Sequence, residues 1–394
     1  MRIAIFAESY LPYLSGVTVS TDGLARGLAA AGNEVLLVVP RPSRMSEPPS
    51  AAVPRLRVAW LPSYQLPVLA PAGYRMPWPA PAAALAEVGR FRPDVVHAQS
   101  PFVAGLMAAR AAGRARVPLV FTHHTRFNDY RHYLGPLAGA TRLSDAYIAR
   151  FWRRCAAVIA PSEALARDIQ AQLRALRPRV HVVPTGVEVG MISGIAPVDP
   201  RELAGWPPTS VVVASLGRLA KEKSVDLLVE AFAISAAREP RLRLVLVGDG
   251  PLGAAIAARA RRPDLDGRVL LAGRLPRHDA LALLRGCDLF AFASRTETQG
   301  LVLAEAIAAG LPVVALSGPG VDESVRDGFD GILVPDGGPS REPALLGAAL
   351  ASLAASDERR SAMRRNALEG ADRFSIRRWI GRVEGVYTEA RDAA

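Results

Sequence analysis

Two glutamates in the second half of the sequence are placed where they could bind a sugar phosphate. Glu297 and Glu305 are eight positions apart, and Gly300 lies between them, where a predicted strand and loop give way to a predicted helix. The backbone N–H groups of Gly300, Leu301 and Val302 would form the helix N-terminus, which attracts anions. Carboxylates suit such a site when they accept hydrogen bonds from hydroxyl groups, so the pattern favours a phosphorylated sugar. Taken singly, either glutamate could equally be a solvated surface charge.

The elements around these residues alternate as in a parallel sheet covered by helices on both faces. Short apolar runs end in polar residues and are followed by amphipathic stretches. The scheme begins at residue 2 and restarts near residue 210, after a stretch rich in Pro and Gly over 186–208. We therefore predict two doubly wound α/β domains, facing each other across a cleft that holds the ligands. Their predicted bounds are 1–190 and 205–374, with a last helix over about 375–394 that packs back on the first domain.

Composition narrows the class of protein. The chain has 394 residues, half of them hydrophobic, and a formal net charge of +11, which favours an anionic partner. Neither a zinc-finger spacing nor an RNA-binding signature is present, so we expect no nucleic-acid partner. Cys155 and Cys287 are too few for a disulfide framework, and neither a signal peptide nor an apolar stretch long enough to span a bilayer is evident. We predict a cytoplasmic protein.

Several motifs, in their order and spacing, resemble the retaining nucleotide-sugar glycosyltransferases of family four, which have the two-domain GT-B fold. The segment SRTETQGLVLAEAIAAGLPVVA looks like the Glu-x7-Glu motif of that family. The resemblance covers nearly the whole chain, and each piece is weak alone whereas the set is specific. The other matching pieces of the second half are SLGRLAKEKSVDLLVEAF, LVLVGDGP, LLAGRLPRHD and VRDGFDGILVP.

The resemblance implies roles for residues at the matching positions. Glu297 would contact the transferred sugar, and Glu305 would bind the ribose hydroxyls of the donor. Arg274 and Leu275 would lie near the nucleotide base. These roles imply a nucleotide sugar as the donor, with UDP-hexose preferred over GDP-mannose, and no other cofactor.

The two lysines of the chain, Lys221 and Lys223, fall in the segment that resembles the phosphate-binding loop of the family. The sequence has 48 basic residues, and all the others are arginines. Glycosyl transfer expels a nucleoside diphosphate, and fixed positive groups stabilise the charge that grows on it. The resemblance assigns this role to Arg218, a planar fork, and to Lys223, a compact charge on a flexible stem. Lys221 is interpreted as a neighbour that faces solvent.

The resemblance extends to the first half. The family usually has a pair of glycines before the first helix, where this chain has Ser15 and Gly16, so that only Gly16 preserves a close approach to the donor phosphate. Adjacent strand residues point to opposite sides, so at most one of His123 and His124 faces the site. By resemblance to the Thr-x-His-Thr pattern of the family, His124 would contact the donor sugar, and His123 would be structural.

Two further polar residues remain open at this point. His97 could line the acceptor side or satisfy a buried backbone carbonyl, and Asp129 could be a base or the partner of an arginine. A metal site is not expected, because no second cluster of ligands follows the histidines and the family needs no metal.

The pairing of THHTRFNDYRHYL in the first half with SRTETQGL in the second is similar to the lipid-modifying members, such as diacylglycerol glucosyltransferases and related mannosyl- and sulfoquinovosyl-transferases. From 121 to 180 the chain has ten arginines against four acidic residues. The stretch SDAYIARFWRRCAAV interleaves aromatic residues with arginines, as expected of a helix at an anionic leaflet, and LPVLAPAGYRMPWPAP adds a loop that could reach lipid. The alternative is ordinary core packing for Phe151 and Trp152.

These observations predict a retaining glycosyltransferase that moves a hexose, glucose for preference, to a membrane lipid such as diacylglycerol at the inner face of the cell membrane. No covalent nucleophile stands out, which favours a same-face mechanism, and no protein partner is implied. The alternatives are a GDP-mannose-dependent mannosyltransferase and a transferase acting on a soluble sugar or inositol phosphate. A pyridoxal-dependent phosphorylase would need a lysine after Lys223, where the chain has none. A non-enzymatic nucleotide-binding module would leave Glu297 and His124 without a purpose.

Overall fold

The computed structural model describes residues 1–43, 53–65, 74–79, 81–125, 141–173 and 178–393. Asp129 and residues 66–73 of the proline-rich loop therefore lie outside the described residues. The chain divides into two compact units. Unit 1 comprises Met1–Gly186 together with Ile376–Ala394, and unit 2 comprises Val187–Ser375.

Unit 1 is built on a seven-stranded parallel sheet. Its strands are short and almost entirely apolar because helices cover both faces. The spatial order is β3-β2-β1-β6-β7-β8-β9, and a two-stranded antiparallel pair is formed by β4 and β5. The strands are β1 (Arg2–Phe6), β2 (Glu34–Pro40), β3 (Leu56–Leu61), β4 (Ser63–Gln65), β5 (Arg75–Pro77), β6 (Val95–Ala98), β7 (Leu119–Thr122), β8 (Ala157–Ala160) and β9 (Arg179–Val182).

Five helices of unit 1 connect these strands, and the first begins with a complete cap. They are α1 (Gly16–Ala30), α2 (Pro81–Phe91), α3 (Val103–Ala115), α4 (Thr141–Trp152) and α5 (Glu163–Leu173). The Ser15 hydroxyl accepts a hydrogen bond from the Thr18 backbone N–H, and the Thr18 hydroxyl accepts one from the Ser15 N–H in return. Such a capping box satisfies two donors that a helix start leaves unpaired. The serine that departs from the glycine pair of the family is thus the N-cap of α1.

Unit 2 repeats the architecture with six parallel strands in the order β12-β11-β10-β13-β14-β15. The strands are β10 (Val211–Leu216), β11 (Leu242–Val247), β12 (Val269–Gly273), β13 (Leu289–Phe292), β14 (Val313–Leu316) and β15 (Gly331–Val334). The helices are α6 (Val189–Gly194), α7 (Pro200–Ala204), α8 (Val225–Arg238), α9 (Gly253–Ala260), α10 (Arg277–Arg285), α11 (Leu301–Ala308), α12 (Glu342–Ala354) and α13 (Asp357–Gly370). The strand order reverses between β10 and β13. Ligands of doubly wound sheets bind at this switch point, outside the carboxyl ends of the strands.

The stretch between the two sheets, interpreted from the sequence as a linker over 186–208, is largely part of unit 2. It contains α6 and α7, and Ile192 and Ile195 are buried in the core of that unit. Arg201 of α7 forms an ion pair with Asp288, which precedes β13. Short helices that pack through a few apolar side chains leave little periodicity in a Pro- and Gly-rich sequence, so the sequence did not reveal them.

The last helix, α14 (Ile376–Asp392), belongs to unit 1 and packs on α1. Trp379 and Ile380 are buried there. The contact is close enough that a Cβ atom added to Gly27 of α1 would lie 2.7 Å from Ile380 Cγ1. The helix also places the Tyr387 hydroxyl 2.7 Å from Nδ1 of His97, whose Nε2 lies 2.8 Å from the Thr122 hydroxyl. His97 is therefore fully buried between two hydroxyl groups, and it neither faces an acceptor nor bonds a backbone carbonyl.

Removal of the Tyr387 hydroxyl should show how much its hydrogen bond to His97 contributes to the stability of the protein. Burial lowers the pKa of His97 to about 3, so the ring is neutral and its Nδ1 needs a partner. We expect Tyr387→Phe to reduce the free energy of unfolding by about 1–3 kcal/mol, the typical cost of a buried polar group left unpaired. Urea denaturation followed by circular dichroism would measure it. Tyr147→Phe, which loses a hydrogen bond from a half-exposed hydroxyl to the Pro101 carbonyl, is the matched control with a smaller expected loss.

Candidate active site

The first part of the site in unit 2 is the turn that follows β10. Gly217 and Gly248 lie at the ends of neighbouring strands with φ of 154° and 141°, values that favour glycine. A Cβ atom on Gly248 would lie 1.9 Å from the Gly217 carbonyl oxygen, so the two backbones are in direct contact. The chain then passes Arg218 and forms a single 3₁₀ turn over Lys221–Lys223. This places the basic residues at the switch point of the sheet.

The three basic residues of this turn differ in their surroundings. Lys223 Nζ forms an ion pair with Glu297 Oε1, and the two side chains are 29% and 13% exposed. Arg218 is about half exposed, with Nη1 3.7 Å from Glu222 Oε1. Lys221 is exposed to solvent. The turn thus presents Lys223 to Glu297 and Arg218 to Glu222, and the side chain of Lys221 faces solvent.

Hydrogen bonds tie this turn to the loop that follows β13. The Glu222 carbonyl oxygen accepts from the hydroxyls of Ser294 and Thr296, both at 3.1 Å. The two loops are therefore fixed relative to each other before any ligand binds, and the Lys223–Glu297 ion pair forms between them. Sequence reasoning missed these two hydroxyls, because their partner is a backbone group 72 and 74 residues earlier in the chain.

The same loop is supported from its other side by the segment after β14. The Ser324 hydroxyl donates to the Gln299 carbonyl oxygen at 2.8 Å. Gly320, with φ of 75°, lies so close that an added Cβ atom would be 2.8 Å from the carbonyl carbon of Thr298. The loop carrying Glu297 is consequently held between two neighbouring segments.

A pair of glycine substitutions would test this support. Gly320→Ala and Gly328→Ala both place a side chain at positive φ, 75° and 72°, which costs about 1–2 kcal/mol. Only the alanine at position 320 would meet the backbone of the loop, since the site of the Cβ atom at Gly328 has nothing within 4 Å. We expect similar thermal destabilisation in both variants and a substantial loss of activity in Gly320→Ala alone. Equal activities would show that the close contact does not position the loop.

The helix after the loop begins where the sequence predicted. Gly300 is the N-cap of α11 with φ of 74°, and its carbonyl oxygen accepts from the Leu303 N–H at 2.8 Å. This bond tightens the first turn and leaves the N–H groups of Gly300, Leu301 and Val302 at the helix N-terminus. Leu301 and Val302 are partly buried and pack their side chains on the core of unit 2.

Glu305 lies on the buried side of α11. The structure thus excludes the alternative that Glu305 is a solvated charge on the helix surface. Its carboxylate is 2.6 Å from Nη1 of Arg277, the first residue of α10. Burial raises the pKa of Glu305, and the nearby guanidinium of Arg277 acts in the opposite direction. Just before Arg277 lie Arg274, which is exposed, and Leu275, which packs on the core. Sequence reasoning missed Arg277, although the motif LLAGRLPRHD contains it.

In unit 1, His124 follows β7, and its Nε2 lies 2.7 Å from Oε1 of Gln99. Burial lowers the pKa of His124 to about 4, so the imidazole is neutral near pH 7. His123 is buried edge-to-face against Phe121 and Trp152, with ring centroids 5.6 and 5.3 Å apart. The two histidines thus have separate surroundings, with His123 in the core. Gly16 is the first residue of α1.

The expectation that the aromatic residues of α4 face a membrane is wrong. Ile148, Phe151 and Trp152 are all buried in the core of unit 1. Three arginines of this segment are exposed: Arg150, Arg153 and Arg154. The alternative of core packing with solvated arginines around it is the observed arrangement.

Within the described ranges of the chain, the helices are all too short or too polar to cross a membrane. The same residues contain no group of three histidine, cysteine or acidic side chains arranged to hold a metal ion.

Comparisons with known proteins agree with this geometry. Residues 14–190 match the model of Glycosyltransferase Family 4, and residues 201–370 match that of Glycosyl transferases group 1. The chain is 31% identical over 337 residues to the GDP-mannose-dependent alpha-mannosyltransferase of Mycolicibacterium smegmatis, a match that covers 85% of this chain and 84% of that protein. The chain belongs to the family four glycosyltransferases.

Two other similarities bear on this glycosyltransferase. It is 29% identical over 343 residues to the alpha-monoglucosyldiacylglycerol synthase of Acholeplasma laidlawii, covering 84% of each chain. Its fold matches that of Anabaena HepE, solved in complex with UDP and glucose, with a TM-score of 0.73 at 20% identity and coverage of 99% and 100% of the two chains. The glycosyltransferase therefore has the GT-B fold that the sequence predicted, with a Rossmann-like parallel sheet in each unit.

Proposed function

We propose that this glycosyltransferase transfers a hexose, glucose for preference, from a nucleotide sugar to a membrane lipid such as diacylglycerol, with retention of configuration at the anomeric carbon. The observation that carries the proposal is the Lys223–Glu297 ion pair at the switch point of unit 2, next to the N-terminus of α11. A cation and a carboxylate side by side suit a ligand with a phosphate on one side and hydroxyl groups on the other.

The charges of the site fit the expulsion of a nucleoside diphosphate. Arg218, Lys223 and the N–H groups at the start of α11 would stabilise the negative charge that develops on the leaving phosphate. Glu297 would accept a hydrogen bond from a hydroxyl of the sugar, and Glu305, held by Arg277, would bind the ribose. In this scheme protein groups alone stabilise the leaving diphosphate, so transfer requires no metal ion.

Retention of configuration follows in this proposal from a same-face reaction. The acceptor hydroxyl attacks the anomeric carbon on the side that the diphosphate leaves, and the leaving phosphate takes up the proton. His124, neutral near pH 7, would contact the donor sugar. Nuclear magnetic resonance of the product would test this directly, because an α-linked donor should give an α-linked product at the first turnover.

The donor is proposed to be a UDP-hexose. The fold match to HepE, solved with UDP and glucose, and the similarity to a glucosyldiacylglycerol synthase support this choice. The second candidate is GDP-mannose, which is favoured by the similarity to a mannosyltransferase that uses it. A thermal-shift screen with UDP, GDP and their hexose derivatives would decide, since a ligand that binds the native state raises its melting temperature.

A lipid acceptor is supported by a surface feature of unit 1. A groove of about 790 Å³ runs along α3 and is lined mostly by apolar side chains, with Arg110 and Arg154 also in its lining. Leu106 in its lining and Phe102 beside it expose 39% and 42% of their surface, although both are large and apolar. Apolar side chains beside arginines suit the inner leaflet, whose lipids are anionic. We place the enzyme there as a peripheral protein.

Co-sedimentation with liposomes would test this assignment. The wild-type protein should bind vesicles containing an anionic phospholipid and should release them at high salt. Leu106→Glu and the pair Arg110→Glu/Arg154→Glu should reduce binding, whereas Arg261→Glu, an exposed residue of unit 2, should not. Absence of binding by the wild type, together with transfer to a soluble sugar or inositol phosphate, would favour the alternative acceptor class.

A further inference from the structure

Glu8 lies two residues beyond the end of β1, and its hydrogen bonds go to one of its two carboxylate oxygens. Its Oε2 accepts from the Ala104 N–H at 2.9 Å and from the Ser100 hydroxyl at 3.1 Å, and so caps the start of α3. Its Oε1 is buried and has no hydrogen-bond partner among the described residues. The whole residue is only 8% exposed. A capping role needs one oxygen. The second oxygen is a strong hydrogen-bond acceptor that is buried away from water without a partner among the described residues.

Gln99 presents the complementary group at the end of the neighbouring strand. Strands β1 and β6 are adjacent, and the Gln99 N–H donates to the Phe6 carbonyl at 2.8 Å. Nε2 of the neutral His124 ring forms a hydrogen bond with Oε1 of the Gln99 amide. This contact directs the Nε2 amide group of Gln99 away from His124, and that group is buried without a partner in the part of the chain that the structure describes. Gln99 is 3% exposed.

An unpaired acceptor and an unpaired donor thus lie at two adjoining strand ends, and they do not bond each other. Buried polar groups are nearly always paired, and a donor and an acceptor left unpaired side by side are one mark of a place that a ligand or an ordered water fills. A hydroxyl group can satisfy both, since it donates to Glu8 Oε1 while it accepts from Gln99 Nε2. The switch point of a doubly wound sheet, where these residues lie, is also where such folds bind ligands.

We propose that Glu8 and Gln99 form a hydroxyl-binding subsite of unit 1, which takes one hydroxyl of a sugar or glycerol moiety during transfer. The proposal rests on the proposed function, because it assumes that a polyhydroxyl substrate reaches this unit. The surroundings suit such a ligand. Tyr13 and Tyr74 pack edge-to-face with ring centroids 5.3 Å apart. Burial raises the pKa of Tyr74, and the charge of Glu8 acts in the same direction. Aromatic rings can pack against the carbon faces of a sugar or glycerol.

The hydroxyl has two sources, the acceptor and the hexose of the donor, and steady-state kinetics distinguishes them. Glu8→Gln keeps an oxygen to cap α3 but replaces the unpaired acceptor by a donor. Gln99→Met removes the donor at nearly constant volume. We expect each variant to lower kcat/KM by about 10- to 100-fold, the effect of one hydrogen bond to a substrate hydroxyl in a buried site. If the effect lies in the KM of the acceptor, the hydroxyl belongs to the acceptor; if it lies in the KM of the donor, it belongs to the hexose.

The double variant E8Q/Q99E exchanges donor and acceptor and offers the same hydroxyl both bonds again, so it should recover part of the activity that E8Q loses. The stabilisation of each variant by UDP alone should equal that of the wild type, because Glu8 and Gln99 belong to unit 1 and the nucleotide is proposed to bind unit 2. Wild-type kcat/KM for both substrates in E8Q and in Q99M would show that neither group binds a substrate hydroxyl and would overturn the proposal. A loss matched by an equal loss of stability would overturn it as well. If the wild type neither binds a nucleotide nor transfers a sugar, the proposed function fails instead.

Discussion

Replacing Lys223 by alanine is expected to reduce kcat by about 10²- to 10³-fold while leaving the fold intact, the usual result of removing one group that stabilises a developing oxyanion. Lys223 lies between the turn after β10 and the loop after β13, and it is the partner of Glu297. Without it, the leaving diphosphate loses a positive charge, and Glu297 adds an uncompensated negative charge next to it. Initial rates with a nucleotide sugar, together with circular dichroism of both proteins, would measure the effect.

Lys221 supplies the matched control. It belongs to the same 3₁₀ turn and carries the same charge, but its side chain is exposed and lies outside the Lys223–Glu297 pair. Lys221→Ala should therefore retain wild-type kcat, and any effect of net charge alone would appear equally in both variants. Lys223→Arg should also lose activity, because a broad guanidinium does not replace a compact ammonium group in a formed ion pair. Full activity of Lys223→Ala would refute the assignment of this residue to the diphosphate.

Replacing Arg277 by alanine is expected to lower the free energy of unfolding by about 3–5 kcal/mol, the cost of breaking a buried ion pair from one side. The substitution leaves Glu305 buried without its cation. Glu305→Gln should cost far less, because Arg277 is about a third exposed and can be solvated. The double variant E305Q/R277A should therefore be more stable than R277A alone, which chemical denaturation of the four proteins would measure. Equal stabilities of R277A and the wild type would show that the pair carries no such energy.

The stability of R277A should also depend on pH differently from that of the wild type. A carboxyl group whose pKa is raised in the folded state holds its proton more tightly there than in the unfolded chain, so stability falls as the pH rises above about 4.3. Arg277 limits this fall in the wild type, because its charge opposes the rise in the pKa of Glu305. The gap between R277A and the wild type should therefore be small below pH 4 and widen towards pH 7. A gap that is constant across this range would exclude the charge of Glu305 as its cause.

The sequence was most informative where a function depends on neighbours along the chain. The start of α11 at Gly300 and the position of Glu297 in the preceding loop follow from a strand, a loop and a glycine in succession, and the structure has them as predicted. The Lys223–Glu297 pair joins residues 74 positions apart, but both lie in motifs of known order. Arg277 could not be predicted in the same way, because its contact with Glu305 depends on how α10 packs against α11, which periodicity does not specify.

The wrong expectation for α4 has a similar physical cause. A helix that alternates arginines with Phe151 and Trp152 has one apolar and one basic face, and the pattern is the same whether the apolar face meets lipid or protein. The tertiary structure decides, and here it buries the aromatic face against β7 and α3. For the same reason Glu8 and Gln99 attracted no attention in the sequence, since what distinguishes them is the atoms they leave unpaired after folding.

The position of α14 in unit 1 determines the order in which the two units can be completed during translation. Unit 2 is one continuous segment, and its two ends meet in a parallel bridge between Val187 and Ser375, with the Val187 N–H bonded to the Phe374 carbonyl at 2.7 Å. Every residue of unit 2 is therefore synthesised before α14, whereas unit 1 waits for α14 to cover Gly27 and to supply Tyr387 to His97. During translation the half of the protein that is made first is the half that is completed last.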